Sequence, residues 1–291
     1  EEKGWLSHRN KLAGRGFTFE YSATFKEAVV AAGDNGVEES YAKNILFDYG
    51  YRYFYEDGYG KDYRIFNLPE KETRQRYTYL TAALLAFLAW FLGEKEQAKQ
   101  ALSAVYQGDA ASAGLIDKQG NEIFSGSFPW LKEQQLTVEA LYRDILTLTF
   151  HAAGGGTLNV DRITGDSGEL LLKVGEAEKP FGLINVGDAL GLAEHLESHD
   201  IKHLQVRKSE LANPIFAEVT RESSPVNLLI GSKKFVEGWN CWRVSSMGLM
   251  NTGKKEGSQI IQLFGRGVRL KGRDMSLIQF LRPNTSTCWK R

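Results

Sequence analysis

From residue 179 onward short apolar runs alternate with helical patterns, and this alternation narrows the folds open to the chain more than any other feature. The strand-like runs are 181–186, 203–206, 226–230, 244–249 and 275–281. Between the first two, 188–198 sets Ala189, Leu192, Ala193 and Leu196 on one helical side. Before the last, 257–268 turns Ile260, Ile261 and Phe264 inward. Near-continuous apolar strands separated by helices predict a parallel sheet covered on both faces. Such sheets bind ligands beyond the carboxyl ends of their strands, so the loops after Val186, Ile230 and Leu249 are where function is expected.

The chain divides into three regions: 1–75, 76–178 and 179–291. In the first, 17–22 alternates and is rich in aromatic and β-branched residues, which predicts a strand; a helix is expected near 26–32, ending at Gly33. The stretch 41–66 holds ten aromatics in 26 positions, with Tyr49, Tyr51, Tyr53 and Tyr55 at strand spacing. Glu56-Asp57-Gly58 and Gly60 interrupt it, giving strand, turn and strand. These aromatics could stack bases, or they could pack a core. The second region reads as helical over 78–107 and 133–151, broken at 125–129. Gly154-Gly155-Gly156 then forms a junction, and a β-hairpin is expected from 160–164 and 169–173.

Tyr77 to Gly93 carries no charge and must be weighed against a membrane span. It is short for a bilayer and runs into the charged, helix-favouring 94–107, so a buried helix is expected and no membrane. Cys241 and Cys288 are too few for a disulfide framework, and no C-x-x-C pair marks a zinc site. With no signal peptide at the start, a reducing, cytoplasmic setting is expected. His195 and His199 lie one helical turn apart, but the H-E-x-x-H order is missing; histidines near a helix C-terminus need no metal to explain them.

Charge is uneven along a chain that balances 36 Lys+Arg against 36 Asp+Glu. Residues 240–291 hold ten basic residues and two acids, Glu256 and Asp274, a net of +8, so the remainder carries −8. Such an end is either an anion or nucleic-acid surface, or a solvated face with acidic partners elsewhere. Within it, Arg266 and Arg269 are three apart and would share one helical face. Two guanidiniums on one turn can grip a multiply charged oxyanion, or can simply close a helix in solvent. Gly265 and Gly267 cost helix propensity, and close approach of another surface would explain them.

Gln262-x-x-Gly265-Arg266-x-x-Arg269 resembles motif VI of superfamily 2 helicases. The segment 232–240, with Glu237-Gly238-Trp239-Asn240, resembles motif V, and Ser22-Ala23-Thr24 after a strand-like run resembles motif III. The three stand in the family's order. With Phe19-Glu20-Tyr21-Ser22-Ala23-Thr24-Phe25 and Asp57-Gly58-Tyr59-Gly60-Lys61-Asp62, the chain is similar to the DEAD/DEAH-type ATPase of type III restriction enzyme Res subunits. The resemblance spans about the first 75 and the last 110 residues. It implies an α/β fold: the tail of a first RecA-like lobe with motif III over 1–75, a mainly helical insertion with a hairpin over 76–178, and a second RecA-like lobe, a parallel sheet flanked by helices, over 179–291.

By that resemblance Arg266 and Arg269 are the catalytic arginine fingers, stabilising charge on a γ-phosphate. Gln262, Gly238 and Asn240 would bind the nucleotide; the family often has Asp where Asn240 stands, so a charge is lost there. Ser22 and Thr24 would couple nucleotide state to lobe movement. Ser232, Lys233 and Gly187 would meet the nucleic-acid backbone, contacts that carry affinity without base specificity. ATP and Mg are the implied cofactors; DNA and a separate modification (methyltransferase) subunit are the implied partners, and no resident metal site is expected within the chain. Neither G-x-x-x-x-G-K-[ST] nor a D-E-x-H or D-E-A-D sequence occurs in the 291 residues. The expectation is a piece that starts after motif II, belonging to an ATP-driven DNA helicase or translocase and inactive as an ATPase alone. The alternative is a non-catalytic nucleic-acid- or protein-binding module that kept a RecA-like fold.

Overall fold

A computed structural model describes residues 5–22, 25, 33, 39, 41, 43–63, 77–107, 119–121, 131, 133–163, 168–209, 214–231, 239–249 and 257–270. In chain order the helices are α1 (Trp5–Ala13), α2 (Tyr51–Glu56), α3 (Tyr77–Gly93), α4 (Lys95–Gln107), α5 (Val138–Phe150), α6 (Ala189–Glu197) and α7 (Gly257–Gly267). The strands are β1 (Leu158–Arg162), β2 (Glu169–Val174), β3 (Gly182–Asn185), β4 (Leu204–Lys208) and β5 (Leu228–Gly231), with a single 3-10 turn at Phe216–Glu218.

Among the described residues the strands form one sheet in the order β4-β1-β2-β3-β5. β1 runs parallel to β4, and β3 to β5, while β2 is antiparallel to both of its neighbours. Four strands therefore point one way and only β2 opposes them, which corrects the expected parallel sheet to a mixed one. The hairpin expected within 76–178 supplies the two central strands, β1 and β2. Leu170-Leu171-Leu172 explains why: a continuous apolar run needs cover on both faces, and all three side chains are buried. The run 244–249 has no regular secondary structure, and 275–281 lies outside the described residues.

One face of the sheet carries the main core. Leu158 and Val160 of β1, Leu170, Leu172 and Val174 of β2, Ile184 of β3 and Ile230 of β5 pack against α3, α5 and α6. From those helices come Leu85, Ala89 and Leu92; Tyr142, Leu146 and Phe150; and Leu192, Ala193 and Leu196. The core is continuous across residue 178. The apolar α3 is thus largely spent on the sheet, and no described helix is long and apolar enough to cross a membrane. Caps fix the ends: Thr137 Oγ1 accepts from Ala140 N at 3.2 Å at the start of α5, and Asp188 Oδ1 from Gly191 N at 2.8 Å at the start of α6. The helix expected over 78–107 breaks into α3 and α4 at Gly93-Glu94, where a Cβ on Gly93 would enter the ring of His203.

The opposite face is part apolar and part polar. Leu171, Leu183, Val219 and Val226 make a small second cluster under 215–229. Beside it Asp161 is buried, accepting from Arg207 Nε at 3.0 Å and lying 3.7 Å from Lys173 Nζ. Glu169 accepts from Asn185 Nδ2 at 3.1 Å and from the amide of Ile215 at 2.9 Å.

In the first region the sequence expectation needs two corrections. Residues 17–22 are extended without strand pairing, and 51–56 is the helix α2 rather than a strand. The tyrosine spacing fits a helix because Tyr51 meets Phe54 and Tyr55 one turn on, at 6.3 and 6.2 Å between centroids. Arg52 and Glu56 add an i,i+4 ion pair at 2.9 Å. Gly58, at φ 83°, closes α2: its amide donates to Tyr55 O and the Tyr59 amide to Phe54 O, the paired bonds of a Schellman end. The helix expected over 26–32 lies outside the described residues.

Candidate anion-binding site

The C-terminal half of α7 is held by aromatics. Phe264 meets Tyr63 edge-on at 4.6 Å and Tyr51 at 5.9 Å between centroids. Beyond the helix the chain pairs with 59–61: Gly60 bridges Arg269, the Lys61 amide donates to Val268 O at 2.7 Å, and the Leu270 amide to Tyr59 O at 2.9 Å. Gly60 is required there, since a Cβ would lie 3.0 Å from the Tyr51 hydroxyl and 3.2 Å from Tyr55 Cα. A Cβ on Gly267 would come within 2.9 Å of Met247 Cε, so close approach accounts for that glycine; around Gly265 there is open space.

This pairing brings cations from two distant segments together. Arg266 sits in the last turn of α7. Because the helix ends at Gly267, Arg269 lies beyond it, and the expected single helical face becomes a turn and a bridge. Arg269 Nη2 donates to Asn240 Oδ1 at 3.0 Å, and its guanidinium stands 4.7 Å over the Trp242 ring. Lys61 Nζ donates to Val244 O at 3.1 Å. The buried Cys241 lies close enough to influence both Lys61 and Arg269.

The electrostatics are those of crowded positive charge. Burial, and then the Arg269 charge, push the Lys61 ammonium below its usual value. Burial, and then Arg266, do the same to Arg269. Among the described residues neither Lys61 nor Arg269 has a carboxylate partner; their acceptors are a carbonyl and an amide oxygen. Arg269 Nε is buried without any acceptor. The nearest acids in sequence are engaged elsewhere, Asp57 by the Tyr49 hydroxyl and Asp62 by the Tyr55 hydroxyl at 2.7 Å.

Segment 239–243 is tied to the sheet by Arg243. Its Nη1 donates to Val219 O at 2.8 Å, and its Nη2 to Ser224 O at 3.1 Å and Val226 O at 2.9 Å. Trp239 stacks near Phe216 at 6.3 Å. Arg243 belonged to the basic end of the sequence, yet here it satisfies three carbonyls.

Of the residues picked from sequence, Arg266, Arg269 and Asn240 come together, with Gln262 one turn before Arg266 on α7 and exposed. Gly187 is exposed between β3 and α6, where a Cβ would meet nothing within 4 Å. It leaves the same sheet edge as β5, because Asn185 and Gly231 are partners in the parallel pair. Ser22 is exposed in the extended segment. Thr24, Ser232, Lys233 and Gly238 lie outside the described residues. Lys61 and Trp242 were not picked from sequence as site residues; the only hint was their adjacency to Gly60 and to Asn240. Among the described residues no group of three or more His, Cys, Asp or Glu could hold a metal. No protein-family model, curated protein or solved structure matches the chain.

Proposed function

We propose that this chain forms the second-lobe portion of an ATP-dependent DNA helicase or translocase of superfamily 2, similar to the Res subunit of type III restriction enzymes. Residues 179–291 would be its RecA-like second lobe. One observation carries the reading: Arg269 of the motif VI-like sequence bonds Asn240 of the motif V-like sequence, with Arg266 beside it and no carboxylate on Arg269. The donor set fits a phosphate, since planar guanidiniums match its oxygens and a neutral amide leaves their charge uncancelled.

Magnesium-bound ATP would supply the phosphoryl group and screen part of its charge. This chain's part is to place Arg266 and Arg269 where negative charge grows during transfer, and Asn240 holds Arg269 in aim. With no phosphate loop in the 291 residues, the cradle for the nucleotide would come from outside them.

The test is DNA-stimulated ATPase of the protein or complex that carries the phosphate loop, with Arg266→Ala and Arg269→Ala. Turnover should fall on the order of 10³-fold while DNA affinity barely changes. Unchanged turnover, with weaker DNA binding and a smaller salt slope, would favour a non-catalytic binding module instead.

A further inference from the structure

We infer that Lys61 is a third ligand of the phosphate site, gripping a terminal phosphoryl group from the side opposite the arginine pair's own chain segment. The inference rests on Arg266 and Arg269 facing a phosphate, as proposed above, and adds a residue from far upstream in the sequence. The backbone fixes the arrangement: the Gly60–Arg269 bridge and the bond from the Lys61 amide to Val268 O hold the two stretches in register. Side-chain wandering alone does not explain their proximity.

Donor counting points to an anion. An ammonium carries three N–H donors and a guanidinium five. Lys61 gives one to Val244 O, and Arg269 gives one to Asn240 Oδ1. Both acceptors are neutral, and Arg269 Nε has none at all. Holding half-buried like charges together without a counter-ion is costly, and a purely structural cluster would be expected to include a carboxylate. Tyr49 and Tyr55 instead bind Asp57 and Asp62, the acids close in sequence to Lys61.

The charge count selects the ligand class. A single carboxylate would leave much of the positive charge uncancelled, whereas a terminal phosphate brings about two negative charges and three acceptor oxygens. Arginine forks can take two of those oxygens, leaving the third for a compact ammonium. The depressed Lys61 ammonium fits the same picture, because a bound dianion would restore it to the charged form.

The experiment is calorimetric titration of the 291-residue chain with tripolyphosphate, beside a DNA oligonucleotide without terminal phosphates. The variants are Lys61→Met, Lys61→Arg, Arg266→Ala and Arg269→Ala. Thermal melting of each checks that the fold is kept, and Met retains the packing stem of the lysine. Lys61→Met should weaken tripolyphosphate binding about tenfold and flatten its salt dependence, while Lys61→Arg stays within about threefold of wild type. If the arginine variants lose affinity and Lys61→Met does not, Lys61 is no ligand, although the arginine reading stands. No tripolyphosphate binding by the wild type, or binding of the oligonucleotide only, also overturns the inference. The ATPase of the arginine variants in the larger enzyme then decides the motor reading separately.

Discussion

Replacing Arg243 with methionine removes a cation that donates to three carbonyls at once, those of Val219, Ser224 and Val226, at 2.8 to 3.1 Å. Hydrogen bonds to a charged group contribute about 1.5–3 kcal/mol each when made singly. Here one guanidinium serves three acceptors, and losing it also removes the cost of drawing its charge out of water. Methionine fills much of the stem's volume. The net loss should therefore be about 3 kcal/mol, well below the sum of three separate bonds, with the Val219 and Val226 carbonyls left unsatisfied at buried residues. Urea unfolding measures it directly: the midpoint should fall with the slope unchanged. At about 2–4 °C per kcal/mol, the melting temperature should drop by about 6–12 °C. A surface phosphate contact would behave in the opposite way, leaving stability within about 0.5 kcal/mol and lowering the salt slope of DNA binding by about one. That result would refute the anchoring argument.

Two further outcomes follow from the packing and the tyrosines. Gly93→Ala should destabilise by about 1–3 kcal/mol, because its methyl would enter the His203 ring, whereas helix propensity alone would stabilise it by about 1 kcal/mol; a raised melting temperature would show that the contact is not tight. The hydroxyls of Tyr49 and Tyr51 are pushed up to about 12, the first mainly by its bond to Asp57 and the second mainly by burial. Both raise the folded-state value above the ordinary 10, so the stability they contribute is present below pH 10 and drains away between 10 and 12. An absorbance titration should show tyrosines ionising late, and Asp57→Asn should bring one of them back toward 10. A curve indifferent to that substitution would rule the Asp57 bond out as the cause.

Elements whose local pattern and burial agree were legible in the sequence. α6 and α7 show an apolar side at helical spacing, and Asp188 and Thr137 are ordinary capping residues, so these helices lie close to where periodicity places them. β3 and β5 read correctly as buried strands. The hairpin's residues were legible but its place was not, because periodicity identifies a strand and says nothing about which strands will flank it. α2 misled for a different reason: tyrosines at every second position also include i,i+4 pairs, and the Schellman end at Gly58 resolves the ambiguity. Of the candidate site, the arginines and Asn240 were visible through their spacing. Lys61 was not, since it joins them through a two-residue bridge across some two hundred positions of sequence, and no local pattern encodes that.

The lone reversed strand also governs the order in which this sheet can be built. Because β2 opposes its neighbours, β1, β2 and β3 form a meander within 158–185, joined by short connections. Such pairings need little loop closure, so the middle of the sheet can zip up from one contiguous stretch of chain. β4 and β5 have no such shortcut, for each must cross over to lie parallel to a strand already in place. The sheet thus grows from its centre outward, and β5, whose end leads toward the Asn240 segment, is added only after the meander that receives it.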